Sequence, residues 1–495
     1  MMNSTPEWIT RSVSRLRTSA PAADKGGDKL AKAALDKSVT DVVAKVAVPR
    51  STHERLQATL RRGNEALSPR ALRRLLADLQ EVVAPQVSEI EGGRRAQAVA
   101  EWYAKAEPEE RRDMWLLMCE QFAPDATRFK SARQRYEAAA GTAEEGQAEI
   151  SLRRALVSPR TRLLQRFSVF PEGMRFLVDL RAEILPLLKA DKRLLPLDAE
   201  LEHLFSTWFD VAFLELRRLS WDSPASLLEK LIKYEAVHDI RSWADLKNRL
   251  DSDRRCYGFF HPRLPGEPLI FVEVALLDKI SSSITPLLDE AAAPADITRA
   301  TTAIFYSISN TQTGLRGVSF GDSLIKHVVE TLTAEFPRLR TFATLSPIPG
   351  FRAWLGKHAG AMLERLDDKR RTELGRAVGF EPPQATHLLG AIDKALELDA
   401  KSPVRQMLLE CAAYYLGREM QEGKPVDPVA RFHLGNGARV ERLNWAGDPS
   451  SKGQKQSYGL MVNYLYDLKR IDKHRSLLAQ GKVPVSGDID SLCRD

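Results

Sequence analysis

The chain has 495 residues, of which 43% are hydrophobic and 28% charged, and its 73 Lys and Arg against 66 Asp and Glu give a formal net charge of +7. This composition is typical of an ordinary globular protein and excludes collagen, whole-chain disorder and a disulfide scaffold. The longest apolar run, 269–277, is interrupted by Glu273 and is too short for a membrane span, so we expect no membrane partner.

The N-terminal 50 residues differ in composition from the rest of the chain. Residues 1–17 carry three arginines and one acid, a loose match to a mitochondrial presequence, and residues 18–50 are rich in Ala, Lys, Asp and Ser. We predict a mobile arm over 1–50. The four cysteines are far apart and form no Cys-x-x-Cys pair, which favours a reducing compartment and argues against structural zinc. We therefore expect a cytoplasmic protein, with mitochondrial import left open.

The region from 52 to about 218 has a helical pattern throughout. Ser68-Pro69 predicts a helix start, and the apolar residues that follow it recur at helical spacing. No segment here has the pattern of a strand. Paired arginines such as Arg73-Arg74 and Arg111-Arg112 could line a nucleic-acid surface, but they are more typical of solvated helix faces. We predict an all-α helical bundle over 51–205, used for assembly, and no nucleic-acid partner.

The second half of the chain has an α/β pattern. Two β-rich runs at 255–260 and 269–276 are joined by turn residues and predict a hairpin. Two further strands are predicted at 303–309 and 341–346, with a helix at 322–336 between them. Strand, helix and strand at this spacing form a crossover unit, which predicts an α/β domain over 206–495.

A glycine-containing loop lies inside this crossover unit, at 310–321. Its glycines would let the backbone approach a ligand, the following helix N-terminus would attract a phosphate, and Arg316 could bind a diphosphate. The loop matches neither the P-loop nor the dinucleotide fingerprint. From the residues alone, an anion site and a plain turn both remain open.

Two further segments carry candidate catalytic residues. Ser346 ends a predicted strand just before two prolines, so its hydroxyl should lie at the ligand-binding end of the sheet. His433 lies in the last turn of a short helix that begins at Asp427-Pro428, where a positive imidazolium is favoured. Structural roles for both residues remain open on spacing alone, and no pair of histidines has metal-ligand spacing.

Four motifs together resemble one known family. They are Phe-Tyr-Ser-Ile-Ser-x-Thr-Gln-x-Gly-Leu-x-Gly-Val (305–318), Leu-Ser-Pro-Ile-Pro-Gly-Phe (345–351), Phe-His-Leu-x-Asn-Gly-Ala (432–438) and Gly-Leu-Met-x-Asn-Tyr-x-Tyr (459–466). In this order they resemble the malonyl-CoA decarboxylases. The resemblance covers about 221–467, whereas the helical half is similar only in type and length.

The resemblance implies a fold, a reaction and a set of site residues. It implies a helical domain followed by an N-acetyltransferase-like (GNAT-like) α/β catalytic domain. It also implies malonyl-CoA as substrate, no cofactor beyond the CoA that the substrate carries, no metal, and a homo-oligomer, a tetramer, built through the helical domain. The catalytic residues would be Ser346 and His433. The substrate-binding residues would be Arg316, Gly317, Val318, Ser319, Phe320, Gly321, Asp322, Ser307 and Tyr466.

One residue departs from the family pattern. Some relatives, such as the mammalian enzyme, have Glu where this chain has Ser319, so the role of that carboxylate does not carry over.

The chemistry of malonyl-CoA suits these residues. Loss of CO₂ leaves an enolate, for which the thioester carbonyl is the electron sink, and we assign His433 as the proton donor to the enolate carbon. Ser346 would orient the malonyl group through a hydrogen bond, and a role as proton acceptor stays open for it. Two alternatives remain: a CoA-dependent acyltransferase of the same fold, and a non-enzymatic helical scaffold or RNA-binding protein.

Overall fold

The computed structural model describes residues 66–318 and 324–494, so the arm predicted at 1–50 lies outside the described residues. The described residues form two compact units, one of 66–205 with 313–318 and the other of 206–312 with 324–494. The described part of the first unit is helical, and the second unit combines helices with a mixed sheet, as the sequence predicts. No helix among the described residues is long and apolar enough to cross a bilayer.

Eight α-helices occupy the first part of the described chain. Their bounds are α1 Pro69–Val82, α2 Glu89–Lys105, α3 Pro108–Glu120, α4 Ala126–Ala139, α5 Glu145–Leu156, α6 Pro159–Phe167, α7 Gly173–Ile184 and α8 Leu195–Trp208. The predicted start of α1 is confirmed, because the Ser68 hydroxyl accepts a hydrogen bond from the amide of Ala71 and Pro69 is the first helical residue. Four residues of its apolar stripe, Leu72, Leu75, Leu79 and Val82, are buried.

The prediction that no strand occurs between 52 and about 218 is wrong. The helical pattern predicted as far as about 218 ends earlier, because α8 ends at Trp208 and β1 spans Glu215–Leu219. β1 pairs antiparallel with the next strand along its whole length and lies at the edge of the sheet. Exposed charged side chains such as Arg217 are compatible with an edge strand. The strand conformation of this segment is therefore determined by its pairing with β2 and not by its own sequence pattern.

The second unit is built on one sheet. Its strands are β1 Glu215–Leu219, β2 Arg254–Phe260, β3 Pro268–Leu277, β4 Thr302–Asn310, β5 Thr341–Thr344, β6 Ser346–Pro347, β9 Arg439–Asn444 and β10 Met461–Leu465. The order is β1-β2-β3-β4-β5-β10-β6, with β9 also paired to β10. The strands β7 Met420–Gln421 and β8 Lys424–Pro425 form a separate pair.

Twelve helices accompany this sheet in the described residues. They are α9 Ala225–Tyr234, α10 Trp243–Arg249, α11 Thr285–Leu288, α12 Leu324–Glu335, α13 Phe351–Glu364, α14 Asp368–Val378, α15 Ala385–Ile392, α16 Pro403–Gly417, α17 Pro428–Gly435, α18 Ser451–Ser457, α19 Ile471–Ala479 and α20 Gly487–Leu492. The predicted hairpin is β2 with β3, and the predicted crossover is β4, α12 and β5, with β4 parallel to β5. Both predictions are confirmed.

The pairing between the parallel strands β4 and β5 ends near the middle of β4. Their register ends with Phe305 opposite Thr344, and the last backbone bond between them runs from the Leu345 amide to the Phe305 carbonyl. The chain then pairs Ser346 with Val462 of β10. β4 continues without β5 to Asn310. An opening of this kind between parallel strands is a common place for ligands in α/β folds.

The two faces of the sheet are distinguished by register. Because side chains alternate along a strand, Phe305, Thr344, Ser346 and Tyr464 lie on one face, and α17 packs there through His433. We call this the α17 face. The other face is packed by α9 and α10, whose Leu228, Leu231 and Leu246 join Cys256 and Phe271 of the sheet in one apolar cluster. We call it the α9–α10 face.

Candidate active site

Ser346 and His433 meet on the α17 face. Ser346 Oγ lies 3.3 Å from His433 Nε2 and 2.9 Å from Thr344 Oγ1, to which it donates. Pro347 pairs only at the edge of the sheet, and Ile348 then leads the chain into the turn before α13. The sequence prediction that these two distant residues belong to one site agrees with their contact in the structure.

The short helix α17 holds His433 in place. Asp427 caps α17, because its Oδ1 accepts hydrogen bonds from the amides of Val429 and Ala430, both at 2.9 Å. The imidazole stacks on the Tyr464 ring, with 4.7 Å between ring centroids, and its Nδ1 lies 2.8 Å from the Tyr466 hydroxyl. Both ring nitrogens therefore have a hydroxyl partner.

Burial decides the charge of His433. The residue is only 4% exposed, and removal from water lowers its pKa to about 3, so the imidazole is neutral in the free protein. The sequence-based expectation of a positive imidazolium at this helix end is wrong. The helix-end dipole favours a cation by at most about 2 kcal/mol, which is less than the cost of burying an unpaired charge. Burial likewise raises the pKa of the Tyr466 hydroxyl, which stays protonated.

Tyr466 also lines a cavity of about 230 Å³. The first turns of α12 and α19 form much of its wall. Its apolar lining includes Ile325, Val329, Leu468 and Ile471. Its charged groups are the cations Lys326 and Arg475 and the acid Asp472. An elongated ligand with an apolar part and anionic groups would find suitable chemistry here, next to the residue that bonds His433.

Ser307 is not brought to Ser346 and His433. It pairs with Glu273 of β3, and its hydroxyl donates to both carboxylate oxygens of Glu235, at 2.7 and 2.8 Å. A register shift places an extra residue, Tyr306, between Phe305 and Ser307. This bulge turns Ser307 to the α9–α10 face, although Phe305 two residues earlier lies on the α17 face. Its predicted role toward the substrate stays a prediction.

The glycine-containing loop divides between described and undescribed residues. Arg316 has an exposed side chain, Gly317 has a positive φ of 83°, and Val318 is buried. The predicted residues Ser319, Phe320, Gly321 and Asp322 lie outside the described residues.

One buried arginine organises the described part of this loop. Arg181 of α7 donates to the carbonyl oxygens of Gly314 and Arg316, both at 2.9 Å, while Asp198 and Glu202 pair with the same guanidinium. A side chain at Gly314 would collide with the Val178 carbonyl. These contacts explain why Thr313–Val318 belongs to the first compact unit, and the role of Arg316 and Gly317 toward a ligand stays a prediction.

Sequence reasoning missed two residues that contact the Ser346–His433 pair. Thr344 accepts from Ser346, and Tyr464 stacks on the imidazole. A signal for Thr344 was present, since residues two apart on a strand share a face and Thr344 precedes Ser346 by two. Within the part of the chain that the structure describes, no three His, Cys, Asp or Glu residues are grouped to hold a metal ion.

Comparison with protein families adds independent information. The model of the malonyl-CoA decarboxylase C-terminal domain matches residues 212–495, and that of the N-terminal domain matches residues 122–209. Ser346, His433 and Tyr466 all fall in the first of these matches. The two matched regions correspond to the α/β part and to much of the helical part of the chain.

Individual relatives agree with the family models. The mitochondrial malonyl-CoA decarboxylase of Rattus norvegicus is 38% identical over 361 residues, which cover 70% of this chain and 73% of the rat protein. The crystal structure of malonyl-CoA decarboxylase from Rhodopseudomonas palustris is 40% identical, with a TM-score of 0.73 over 85% of this chain and 99% of that one. The corresponding structure from Cupriavidus metallidurans is 43% identical, with a TM-score of 0.71 over 86% and 100%.

Proposed function

The chain belongs to the malonyl-CoA decarboxylase family, and on that premise we propose how its residues convert malonyl-CoA into acetyl-CoA and CO₂. The activity itself is that of a carboxy-lyase acting on malonyl-CoA. The observation that carries the proposed mechanism is the buried, hydrogen-bonded pair of Ser346 and His433 beside the point where β4 and β5 separate.

The bond that breaks joins the carboxylate carbon to the α-carbon of the malonyl group. Its electron pair moves into the thioester, giving an enolate, and CO₂ departs. Because the thioester carbonyl accepts these electrons, we propose that the reaction needs no cofactor beyond the CoA of the substrate. Turnover that survives dialysis against a chelator, without any added cofactor, tests this proposal, and loss of turnover restored by one metal ion would refute it.

The buried position of the pair favours loss of CO₂. A carboxylate bound beside Ser346 and His433 is removed from bulk water, and fixed hydrogen-bond donors replace its hydration shell. We propose that Ser346 orients the malonyl group through its hydroxyl. Tyr466 holds the imidazole through Nδ1 and is also one of the residues that line the cavity.

The proton for the α-carbon comes from His433. Conversion of the malonyl carboxylate to CO₂ and of the enolate to a methyl group consumes one proton per turnover. His433 is neutral in the free protein, but the negative substrate carboxylate would raise the imidazole pKa, so a proton enters together with the substrate. The imidazolium then protonates the enolate carbon and returns to its neutral form.

The rest of the substrate requires an extended binding surface. We propose that the loop Arg316 to Asp322 contributes to binding CoA and that the cavity beside Tyr466 holds part of the same molecule. The cations Lys326 and Arg475 suit its phosphates, and Ile325 and Ile471 suit its apolar parts. Replacing Lys326 by Ala should raise the KM for malonyl-CoA with little change in kcat, and an unchanged KM would remove the cavity from the proposal.

The decisive experiment is incubation of the protein with malonyl-CoA in the absence of any acceptor amine. Equal amounts of acetyl-CoA and CO₂ are expected. The variant His433→Asn should lower kcat by at least about 100-fold with a modest change in KM, the loss expected for a general acid. Near-normal turnover of this variant would refute the assignment, and acetyl-group transfer without CO₂ release would favour an acyltransferase instead.

We also propose that the protein is a homo-oligomer, a tetramer, built through its helical region. The helices α4 and α5 pack against each other, but α4 buries only Ala132 and α5 only Ala155, while the adjoining Leu156 and Val157 are exposed. A second copy would cover these apolar groups. Light scattering should give four copies for the wild type and fewer for Leu156→Glu, whereas the control Leu396→Glu, also an exposed leucine, should not change the number.

The cytoplasm is the location that we propose. All four cysteines are free and buried, which suits a reducing compartment. The rat relative is described as mitochondrial, so microscopy of the tagged full chain distinguishes the two locations. Mitochondrial fluorescence would contradict the proposal.

A further inference from the structure

We propose that Thr344 is a positioning residue, which directs the Ser346 hydroxyl away from His433 and thereby places the proton of the neutral imidazole on Nε2. This inference rests on the proposed function only where it assigns the hydrogen bonds of Thr344, Ser346 and His433 a role in proton delivery to the enolate. The arrangement itself follows from hydrogen bonds in the free protein.

Thr344 is built into the sheet as a hydrogen-bond acceptor. The residue is fully buried on the α17 face, and its Oγ1 accepts from the Tyr464 amide at 3.1 Å and from Ser346 Oγ at 2.9 Å. A hydroxyl oxygen has two lone pairs, so both acceptor positions of Thr344 are used. The backbone bond from Tyr464 fixes the oxygen, because β10 is itself paired in the sheet.

The direction of the next bond follows from counting hydrogens. Ser346 has one hydroxyl hydrogen, which it donates to Thr344. Toward His433, the Ser346 oxygen can therefore only accept, and Nε2 must carry the hydrogen across the 3.3 Å between them. In a neutral imidazole the other nitrogen is then an acceptor, and the Tyr466 hydroxyl donates to Nδ1 over 2.8 Å. Burial keeps the imidazole neutral and supports the assignment.

This direction distinguishes a proton donor from a base. In a nucleophilic serine site the serine hydroxyl donates to histidine, which removes its proton. Here the donation runs from His433 to Ser346, so Nε2–H faces the serine side, where the malonyl group is proposed to bind. Thr344 would thus keep the pair ready to deliver a proton to carbon and would suppress the nucleophilic arrangement.

The test compares Thr344→Val with Thr344→Ser in the full chain. Valine has nearly the shape of threonine without the acceptor oxygen, whereas serine keeps that oxygen. The readout is ¹⁵N NMR of histidine-labelled protein, in which protonated and unprotonated ring nitrogens have distinct shifts, with the His433→Asn spectrum assigning the signals. The wild type should show a protonated Nε2 and an unprotonated Nδ1. Thr344→Val should move protonation toward Nδ1, and Thr344→Ser should not.

Kinetics supply the second readout. Thr344→Val should lower kcat at least about tenfold, with the KM within about threefold of the wild type. The Ser346 hydroxyl would then donate to Nε2 and would have to turn away before Nε2 can carry the proton for the enolate carbon. Thr344→Ser should retain kcat within about threefold. A wild-type spectrum with Nε2 unprotonated, or an unchanged spectrum in Thr344→Val, would overturn the proposal.

The experiments distinguish a failure of the proposed role of Thr344 from a failure of the proposed decarboxylation. The wild-type spectrum decides the tautomer even where Thr344→Val fails to fold. Absence of acetyl-CoA formation by the wild type would instead refute the decarboxylation and leave the hydrogen-bond assignment standing.

Discussion

The two faces of one sheet bury polar groups in opposite ways where β4 and β5 separate. On the α17 face, Thr344, Ser346, His433 and Tyr466 form a chain of neutral groups. On the α9–α10 face, Arg249 is fully buried between the side chains of Asp245 and Glu273. A buried charge requires a partner, so the second face contains its own counter-charges. The first face holds no such pair among these four residues, which leaves the substrate to supply the charge.

The charged groups of the α9–α10 face are buried and bond mainly to other groups of the protein. Glu235 accepts from Ser307, Ser309 and the amides of Val237 and His238. Burial and the nearby Glu235 raise the pKa of Glu273 to about 8, against the lowering effect of Arg249. Most of these groups bond to one another, although Glu273 Oε1 and His238 Nε2 have no hydrogen-bond partner among the described residues. The comparison indicates that this face stabilises the sheet while the other carries the chemistry.

The largest effect should come from breaking the buried ion pair. Arg249→Met removes the guanidinium and leaves the Asp245 carboxylate buried without its ionic partner and Glu273 without its bond from Arg249. This should lower the free energy of unfolding by about 3–5 kcal/mol. Urea denaturation measures this loss.

The matched control is an arginine of the same unit with an exposed partner. Arg376→Met breaks the surface pair with Glu381 and should cost less than about 1 kcal/mol. Equal losses for the two variants would contradict the view that the α9–α10 face is held by its charges.

The second prediction compares the two serines directly. Ser346→Ala should lower kcat by about 30-fold or more, because Ser346 contacts His433 and orients the malonyl group. Ser307→Ala should lower kcat less than about tenfold, because its hydroxyl is bonded to Glu235 on the opposite face. Steady-state kinetics at saturating malonyl-CoA give the ratio. A larger loss of kcat in Ser307→Ala than in Ser346→Ala would contradict the view that only the α17 face takes part in catalysis.

These two serines also show what the sequence could and could not predict. The strand before Ser346 was readable from its β-rich run, and the turn from its prolines. The position of Ser307 depends on the bulge at Tyr306, which arises from the pairing of β4 with β3 and leaves no mark in the local pattern. Sequence reasoning therefore grouped Ser307 with Ser346, whereas the structure separates their side chains by the sheet.

Burial explains the other differences between sequence and structure. The helix-end position of His433 favours a cation, but its neutral state follows from tertiary packing around Tyr464 and Tyr466, which spacing does not give. Similarly, the pattern Glu-Leu-Arg-Arg-Leu at 215–219 suits a helix, and only the pairing with β2 makes it a strand. Local patterns predicted the elements that have a strong periodicity or clear turn residues.

The third prediction concerns acid stability. The pKa of His433 is lowered from 6.5 to about 3 and that of His238 to about 4, both mainly by burial. Between about pH 6.5 and these values the unfolded chain binds protons that the folded chain does not, so stability falls as the pH falls. Each histidine should contribute up to about 1.4 kcal/mol per pH unit in this window.

Unfolding in urea at pH 7 and pH 5 measures these contributions. His433→Gln and His238→Gln should each reduce the loss of stability between the two pH values, and the double variant should reduce it further, because the two sites do not touch. A His433→Gln protein that loses as much stability as the wild type would show that this imidazole is not neutral and buried in solution.

The smallest effect is expected at Cys256, on the α9–α10 face. Its thiol is 1% exposed, and burial together with the neighbouring Glu273 and Glu235 raises its pKa well above the usual value. Because the thiolate is the reactive form, iodoacetamide should leave Cys256 unmodified in the native protein and modify it fully in urea. Cys493 is 9% exposed and serves as the internal comparison, since it should react first. Peptide mass spectrometry locates the label. If native Cys256 is labelled as fast as Cys493, the α9–α10 face is accessible to reagents from solution. The two faces would then differ in the charge of their buried groups but not in their accessibility.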